Sequence, residues 1–298
     1  MYKLIAKMIR KIDRDGGIHV FPDFLYLKAL YYLAFDKKLN LKEPCTFNEK
    51  LQWLKLNTRN PNYTQMVDKN EVKKYVANII GEKYIIPTLD VLDSVDEIDL
   101  DKLPKQFVIK CTHDSGGIVV CKDKSKLNFA EIEKKINLSL KKNFYWHGRE
   151  WPYKNVVPKI IIEQYIEDLE TKELRDYKVH NFNNGEQIIL VCRDRFSKAG
   201  MTEDFFDENW NHLNIKRPGH EWSEEKIKEP ENLEEMLELS RELSKDIPFL
   251  RTDFYEVNHK LYFGELTFFP SSGFIGFEPN EWDKIWGDKI IIDGEISR

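Results

Sequence analysis

Two carboxylates and an arginine within RTDFYEVNHKLYFGELTFFPSSGF (251–274) are of the types that hold a hard cation. Asp253 and Glu265 are expected on the two arms of a hairpin, Phe249–Val257 and Leu261–Phe268, joined by the loop Asn258-His259-Lys260. The two acids are twelve positions apart, and a three-residue loop sets 253 opposite 265 and 251 opposite 267. Directly opposed side chains share a face, so Arg251, Asp253, Glu265 and Thr267 gather there. Mg²⁺ accepts a few carboxylate oxygens and completes its shell with phosphate or water, which suits such a group. A half-exposed hairpin with merely solvated charges fits the same residues.

A second group begins at Lys110, which ends the β-rich run QFVIKCT (106–112). His113-Asp114-Ser115-Gly116-Gly117 follows, then the run IVVCK (118–122), so a hairpin with a small-residue loop is expected. Backbone amides of such a loop can approach polyphosphate oxygens while the ammonium neutralises charge. The GxxxxGK[ST] spacing is absent, and a glycine turn needs no ligand. Third is KIIIEQYI (159–166), followed by Arg175-Asp176-Tyr177-Lys178. An apolar strand ending at Glu163 can offer backbone groups to an adenine edge, and Asp176 can accept from ribose hydroxyls. Lys178, Arg193 and Arg195 could clamp a substrate carboxylate or serve as surface ion-pair partners. The aromatic FYWHGREWPYK (144–154) suits either a sugar ring or ordinary loop packing.

The elements that must carry these groups alternate irregularly. Helices are expected at Phe24–Phe35, Phe47–Leu56, Asp68–Ile80, Asn128–Lys142 and Leu233–Lys245, with Asn60-Pro61-Asn62 as a break. Strands are expected at Tyr177–Phe182 and Gln187–Arg193 around the turn Asn183-Asn184-Gly185. Hairpins mixed with helices give an α+β fold rather than a doubly wound parallel sheet.

The 298 residues are 41% hydrophobic with 14 Gly and 12 Pro, enough to bury a core. Lys plus Arg is 46 against 51 Asp plus Glu, a net charge of −5, which argues against nucleic acid as a partner. No apolar run approaches the roughly 20 residues of a membrane-spanning helix. Cysteines 45, 111, 121 and 192 contain no C-x-x-C pair, so neither a disulfide scaffold nor a thiolate metal site is expected. Reduced thiols and the lack of an export signal point to the cytoplasm. In residues 1–14, Leu4, Ile5, Met8, Ile9 and Ile12 recur at helical spacing beside Lys3, Lys7, Arg10, Lys11 and Arg14. That helix packs on the body or makes a peripheral contact with an anionic membrane.

The order Asp68-Lys69, FVIK ending at Lys110, the small-residue loop, EQYI (163–166), then R-x-D and E-x-T with Pro270 and Gly273 beyond, is similar to the ATP-grasp superfamily. TFNEKLQWLKL (46–56), LPKQFVIKCTHDSGG (103–117), REWPYKN (149–155), DYK (176–178) and FGELTFFPSSGF (263–274) resemble the TupA-like ATP-grasp family, over about residues 45–290. That family is associated with bacterial polysaccharide and teichuronopeptide biosynthesis. The resemblance implies an ATP-grasp fold of two α+β lobes around ATP: a helical region at 1–65, then a domain at 66–298 with lobes at about 105–165 and 166–298. It implies that Lys69, Lys110 and the loop His113, Asp114, Ser115, Gly116, Gly117 meet the phosphates, that Glu163, Gln164, Tyr165 and Ile166 form the adenine hinge, and that Asp176 takes the ribose. Asp253 and Glu265 become Mg²⁺ ligands, Thr267 stands where many relatives carry Asn, and Arg251 meets charge developing on an acyl phosphate. The implied reaction joins a carboxylate, such as a uronic acid, to an amino acid or amine.

Rival readings are a glycosyltransferase, a sugar kinase and a non-catalytic nucleotide-binding scaffold. The first wants a D-x-D metal motif, but Asp99-Leu100-Asp101 lies in an acidic run expected to be a solvated loop. Retention of Lys110, Asp253 and Glu265 argues against the last.

Overall fold

A computed structural model describes residues 2–14, 21–169, 174–193 and 201–292. Helix α1 (Tyr2–Arg14) lies against α2 (Asp23–Phe35), with Ile9 buried among Tyr26 and Ala29. Helix α3 (Phe47–Asn57) starts at a capping box, in which Thr46 accepts from the Glu49 amide while Glu49 accepts from that of Thr46. Its Phe47, Leu51 and Leu54 enter the main core, where the Phe47 ring lies 4.9 Å from Phe249 and 5.1 Å from Trp286.

The helix expected over 68–80 is α5 (Glu71–Ile80), which starts three residues later than expected, and a short helix α4 (Asn62–Val67) precedes it. Asp68 accepts from the amides of Asn70 and Glu71 at 2.8 and 3.0 Å, so its carboxylate caps α5 instead of continuing α4. Lys69 therefore stands in a break, with its amide donating to the Thr112 carbonyl at 3.0 Å.

The smaller sheet holds β1 (Thr88–Leu92), β2 (Phe107–Cys111), β3 (Ile118–Cys121) and β4 (Ile160–Gln164) in the order β1-β4-β2-β3, all antiparallel. It thus begins before the first lobe expected at about 105, because β1, a short and largely exposed edge strand with an irregular register at Thr88/Asp90, pairs with β4. Helices α6 (Phe129–Leu140) and α7 (Tyr145–Gly148) precede β4. Ile132 and Ile136 of α6 seal one face against Phe107, Ile109, Ile160 and Ile162. Register puts Val108, Lys110, Ile161 and Glu163 on the other.

The larger sheet contains β5 (Arg175–Phe182), β6 (Gln187–Arg193), β7 (Thr202–Phe206), β8 (His212–Leu213), β9 (Phe249–Val257) and β10 (Lys260–Thr267). Their order is β10-β9-β5-β6-β7-β8, again antiparallel. Helix α8 (Leu233–Ser244) covers one face, where its Ser240 hydroxyl donates to Asn181 and meets Thr252. On the opposite face Phe249 and His180 lie under α3 and the C-terminal helix α9 (Glu281–Lys289), with His180 and Trp286 rings 4.9 Å apart. Among the described residues no helix is long and apolar enough to cross a membrane.

Candidate active site

The hairpin β9–β10 brings Asp253 opposite Glu265 and Arg251 opposite Thr267, the register expected from the sequence, but by another route. Val257 pairs with Lys260, so the turn has two residues, Asn258 and His259, both at positive φ (50° and 62°) as in a type I′ turn. A bulge at Gly264 then restores the alignment. A Cβ on Gly264 would stand 3.0 Å from the Asp253 carbonyl and 3.2 Å from the Tyr255 ring, which is why glycine suits that position.

Lys178 of β5 faces Asp253 in register, so Lys178, Asp253 and Glu265 form one row across three strands. The next row is His180, Arg251 and Thr267. Arg251 donates to both Asp253 oxygens at 2.6 and 2.7 Å and to Glu265 Oε1 at 2.9 Å. Lys178 Nζ donates at 2.5 Å to both Asp176 Oδ2 and Asp253 Oδ2. Burial disfavours the charges of Arg251 and Lys178, but the facing carboxylates outweigh it and raise both pKa values. Burial likewise opposes ionisation of Glu265, yet Arg251, Lys178 and Lys69 hold its carboxyl below the ordinary value. His180 is buried beside Arg251, Arg217 and Lys178, which together keep it neutral, with its pKa well below the usual imidazole value.

The smaller sheet supplies the other wall. Lys69 donates through Nζ to the Asp114 carbonyl, and its pKa is lowered by burial despite Glu265 and Asp114 nearby. Within the loop, Asp114 accepts from the Gly117 amide at 3.1 Å and from Ser139, and His113 Nε2 contacts the Ser139 carbonyl at 3.1 Å. His113 and Asp114 thus pin the loop to α6, and Ser115 and Gly116 are its exposed tip. Lys110 pairs with Glu163 at 2.5 Å, and Lys73 pairs with the same carboxylate. The Glu163 side chain therefore positions lysines on the cleft face, and burial is outweighed by Lys110 and Lys73 so that its pKa is lowered. The strand expected over 159–166 ends at Gln164, whose amide donates to the Pro87 carbonyl at 3.0 Å. Only Tyr165 and Ile166 of the expected hinge lie beyond the ladder.

Arg193 is not brought to this cluster. It alternates with Cys192, the register partner of Asp176, and so lies on the opposite face, bonded to Ser223 at 3.3 Å and near Glu225. Arg195 lies outside the described residues. In the aromatic segment, Arg149 is buried with its guanidinium 4.0 Å over the Tyr26 ring and 4.6 Å over Trp146, an arrangement of packing. Asp99 and Asp101 are exposed, as expected of a solvated loop.

Several residues escape sequence reasoning. Lys55 of α3 is fully buried and donates to Gln52 Oε1, the Gly148 carbonyl and the Ser272 carbonyl at 3.0, 2.8 and 2.8 Å. Gln52 donates to the Ser272 and Gly273 carbonyls at 3.1 and 2.9 Å. Together they clamp the turn Pro270–Gly273, in which Ser271 and Ser272 both hold left-handed backbone (φ 50° and 54°) just past β10. The Ser272 hydroxyl donates to buried Glu150 at 2.5 Å. Burial pushes the Lys55 ammonium down to about 7, with Glu150 opposing, and burial raises the Glu150 carboxyl against Lys55 and Ser272. Arg217, largely buried, reaches Ser271 at 3.4 Å and Glu203 at 3.5 Å, with Arg251 and Asp253 among its charged neighbours. Gln52, Lys55, Glu150 and the two serines lie within the motifs quoted above, and the motifs alone assign them no contacts.

Among the described residues no group of three or more His, Cys, Asp or Glu is arranged as metal ligands. Two hard carboxylates opposed in register, with Glu265 still 41% exposed, nevertheless fit a cation whose remaining ligands are phosphate and water. The sequence model of the TupA-like ATPgrasp family matches residues 49–291.

The chain belongs to that family.

It therefore has the ligase-type ATP-grasp fold. No curated protein gives a significant match. Among solved structures, a D-alanine–D-alanine ligase from Helicobacter pylori is 16% identical with a TM-score of 0.42, over 76% of this chain and 63% of that one. The Bacillus anthracis D-alanine–D-alanine ligase complexed with ATP gives 18% and 0.39, over 68% of this chain and 54% of that one. A RimK-domain ATP-grasp protein from Sphaerobacter thermophilus gives 9% and 0.40, over 76% and 69%. The chain thus spans less than two thirds of either D-alanine–D-alanine ligase.

Proposed function

We propose that this ATP-grasp chain is an ATP- and Mg²⁺-dependent ligase. A carboxylate takes the γ-phosphoryl group of ATP, giving an acyl phosphate and ADP, and an amine then displaces phosphate to leave an amide. The carboxylate is a uronic acid of a capsular or other surface polysaccharide or its precursor, and the amine an amino acid or small amine. The row Lys178–Asp253–Glu265, flanked by Arg251 and approached by Lys69, carries this reading, because cations for a triphosphate stand beside opposed carboxylates. The substrate class is supported by the family's association with polysaccharide and teichuronopeptide biosynthesis. All four cysteines are free thiols, which suits a reducing cytoplasm.

In this scheme Lys69, Lys110 and the exposed tip of the 113–117 loop bind the phosphates, with Glu163 holding Lys110 in place. Backbone groups around Tyr165 and Ile166 bind adenine, and Asp176 accepts from ribose. Asp253 and Glu265, with Thr267 beside them, would hold Mg²⁺, which supplies charge neutralisation at the transferring phosphoryl group. Arg251 neutralises charge developing on the acyl phosphate, and Lys178 balances Asp176 and Asp253 so that the carboxylates stay ionised. Catalysis on this scheme is positioning plus electrostatic stabilisation.

The test is incubation with ATP, Mg²⁺, a uronic acid nucleotide and mixed amino acids. ADP and phosphate should appear only when both co-substrates are present. A phosphorylated sugar would indicate a kinase, UDP release a glycosyltransferase, and binding without turnover a scaffold.

A further inference from the structure

Helix α1 does not bury its whole apolar face. Ile9 is 6% exposed, packed with Tyr26 and Ala29 of α2, whereas Leu4 is 75% exposed and Met8 55%. Leu4 and Met8 are one turn apart and form a stripe along the helix. Lys3, Lys7 and Lys11, also one turn apart and all exposed, form the stripe beside it. We propose that this flank of α1 docks on an anionic lipid bilayer, with Leu4 and Met8 in the acyl boundary and the lysines among the headgroups.

Charge favours that partner. The helix has five basic residues and a single acid, Asp13, in a chain whose net charge is −5. Positive charge is therefore concentrated where apolar side chains are left in water, the combination an anionic interface binds. Nucleic acid would use the lysines and leave Leu4 and Met8 in water. A second copy of this acidic chain would use both, and is the competing outcome. Helix α2, against which α1 packs, is itself tied to the 144–154 segment. Asp23 of α2 accepts from Tyr145 at 2.6 Å and pairs with Arg149 at 3.3 Å, next to buried Glu150.

The test is sedimentation of the full chain with vesicles of phosphatidylcholine alone and of equimolar phosphatidylcholine and phosphatidylglycerol. Binding to the anionic vesicles should be at least about tenfold stronger and should weaken in about 0.5 M salt, where surface charge is screened. Leu4→Glu with Met8→Glu should lower it about tenfold, as should Lys3→Glu with Lys7→Glu, because either pair removes one half of the interfacial attraction. These side chains are exposed, so melting curves and ATP turnover in solution should match the parent. Equal binding to both vesicles, or none, overturns the proposal. So does light scattering that reveals a dimer which Leu4→Glu with Met8→Glu dissociates. ATP turnover is read separately, so loss of the ligase reading leaves this result interpretable.

Discussion

Asp253 and Glu265 oppose each other across β9 and β10, yet their surroundings differ. Asp253 keeps 2% of its side chain exposed and accepts from Arg251 and Lys178, while Glu265 is 41% exposed and touches Arg251. Both variants Asp253→Asn and Glu265→Gln should lose ATP turnover by roughly 10²–10³-fold, the scale of removing one preorganised electrostatic group. Their stabilities should separate. Glu265→Gln should melt close to the parent, whereas Asp253→Asn leaves buried Arg251 and Lys178 with one carboxylate each, Glu265 and Asp176, and should cost about 1–3 kcal/mol in urea unfolding. Near-normal turnover in both would sink the metal assignment. Glu163 makes a prediction about pH. Its carboxyl is held low in the native state by Lys110 and Lys73, so the stability it confers is fully present above the ordinary glutamate range. That stability drains away as pH falls through the lowered native value. Glu163→Gln should therefore cost on the order of 3 kcal/mol near pH 7, and should flatten the acid limb of urea midpoints measured down to about pH 3.

The elements matter because they convert chain spacing into opposed side chains. The alignment of 253 with 265 was legible from their even separation, but the sequence suggests a three-residue loop where the chain uses a two-residue turn and a bulge. Neither Asn258 nor His259 is glycine, so the left-handed turn carries no strong signal, and only Gly264 hints at the bulge. Gly264→Ala should cost about 1–3 kcal/mol through forced crowding. Turnover should fall further than that loss of stability explains, since Glu265 is displaced, and equal behaviour of parent and variant would separate the bulge from the site. Lys69 was legible only through the family resemblance, and the α4–α5 break that frees it depends on the Asp68 cap. The opposite placement of Arg193 follows from strand parity, and could be read only once β5 and β6 were paired. Lys55 was not legible at all. Beside Gln52 one turn away, its acceptors lie at Gly148 and Ser272, 93 and 217 positions away, and no local pattern encodes those two contacts. Lys55→Met should leave the Gly148 carbonyl without that donor and the Ser272 carbonyl with Gln52 alone, at about 1–3 kcal/mol for the unsatisfied group, read as a lower denaturant midpoint, while Lys55→Arg should recover part of the loss.

At the scale of the whole molecule, the net charge of −5 conceals a seam between two sheets where cations and carboxylates are interleaved. Lys110 and the 113–117 loop belong to the smaller sheet, and Lys178, Asp253 and Glu265 to the larger. Lys69 spans them, with its amide on Thr112 and its ammonium within electrostatic reach of Glu265. A nucleotide seated on that seam touches both sheets, so its binding energy must appear as stability of both. Binding to the native state alone adds about 2.7 kcal/mol at a hundredfold excess over Kd. ADP with Mg²⁺ should therefore raise the melting midpoint and slow hydrogen exchange together in β2–β3 and in β5–β9. Lys69→Ala should weaken protection in the two sheets by a similar factor, because it removes a group that faces both. Lys110→Ala should act first on the smaller sheet, where its ion-pair partner Glu163 resides. Protection confined to one sheet, or a Lys69→Ala protein that binds ADP as the parent does, would mean that the nucleotide does not bridge the seam, and the proposed ATP site would have to be moved.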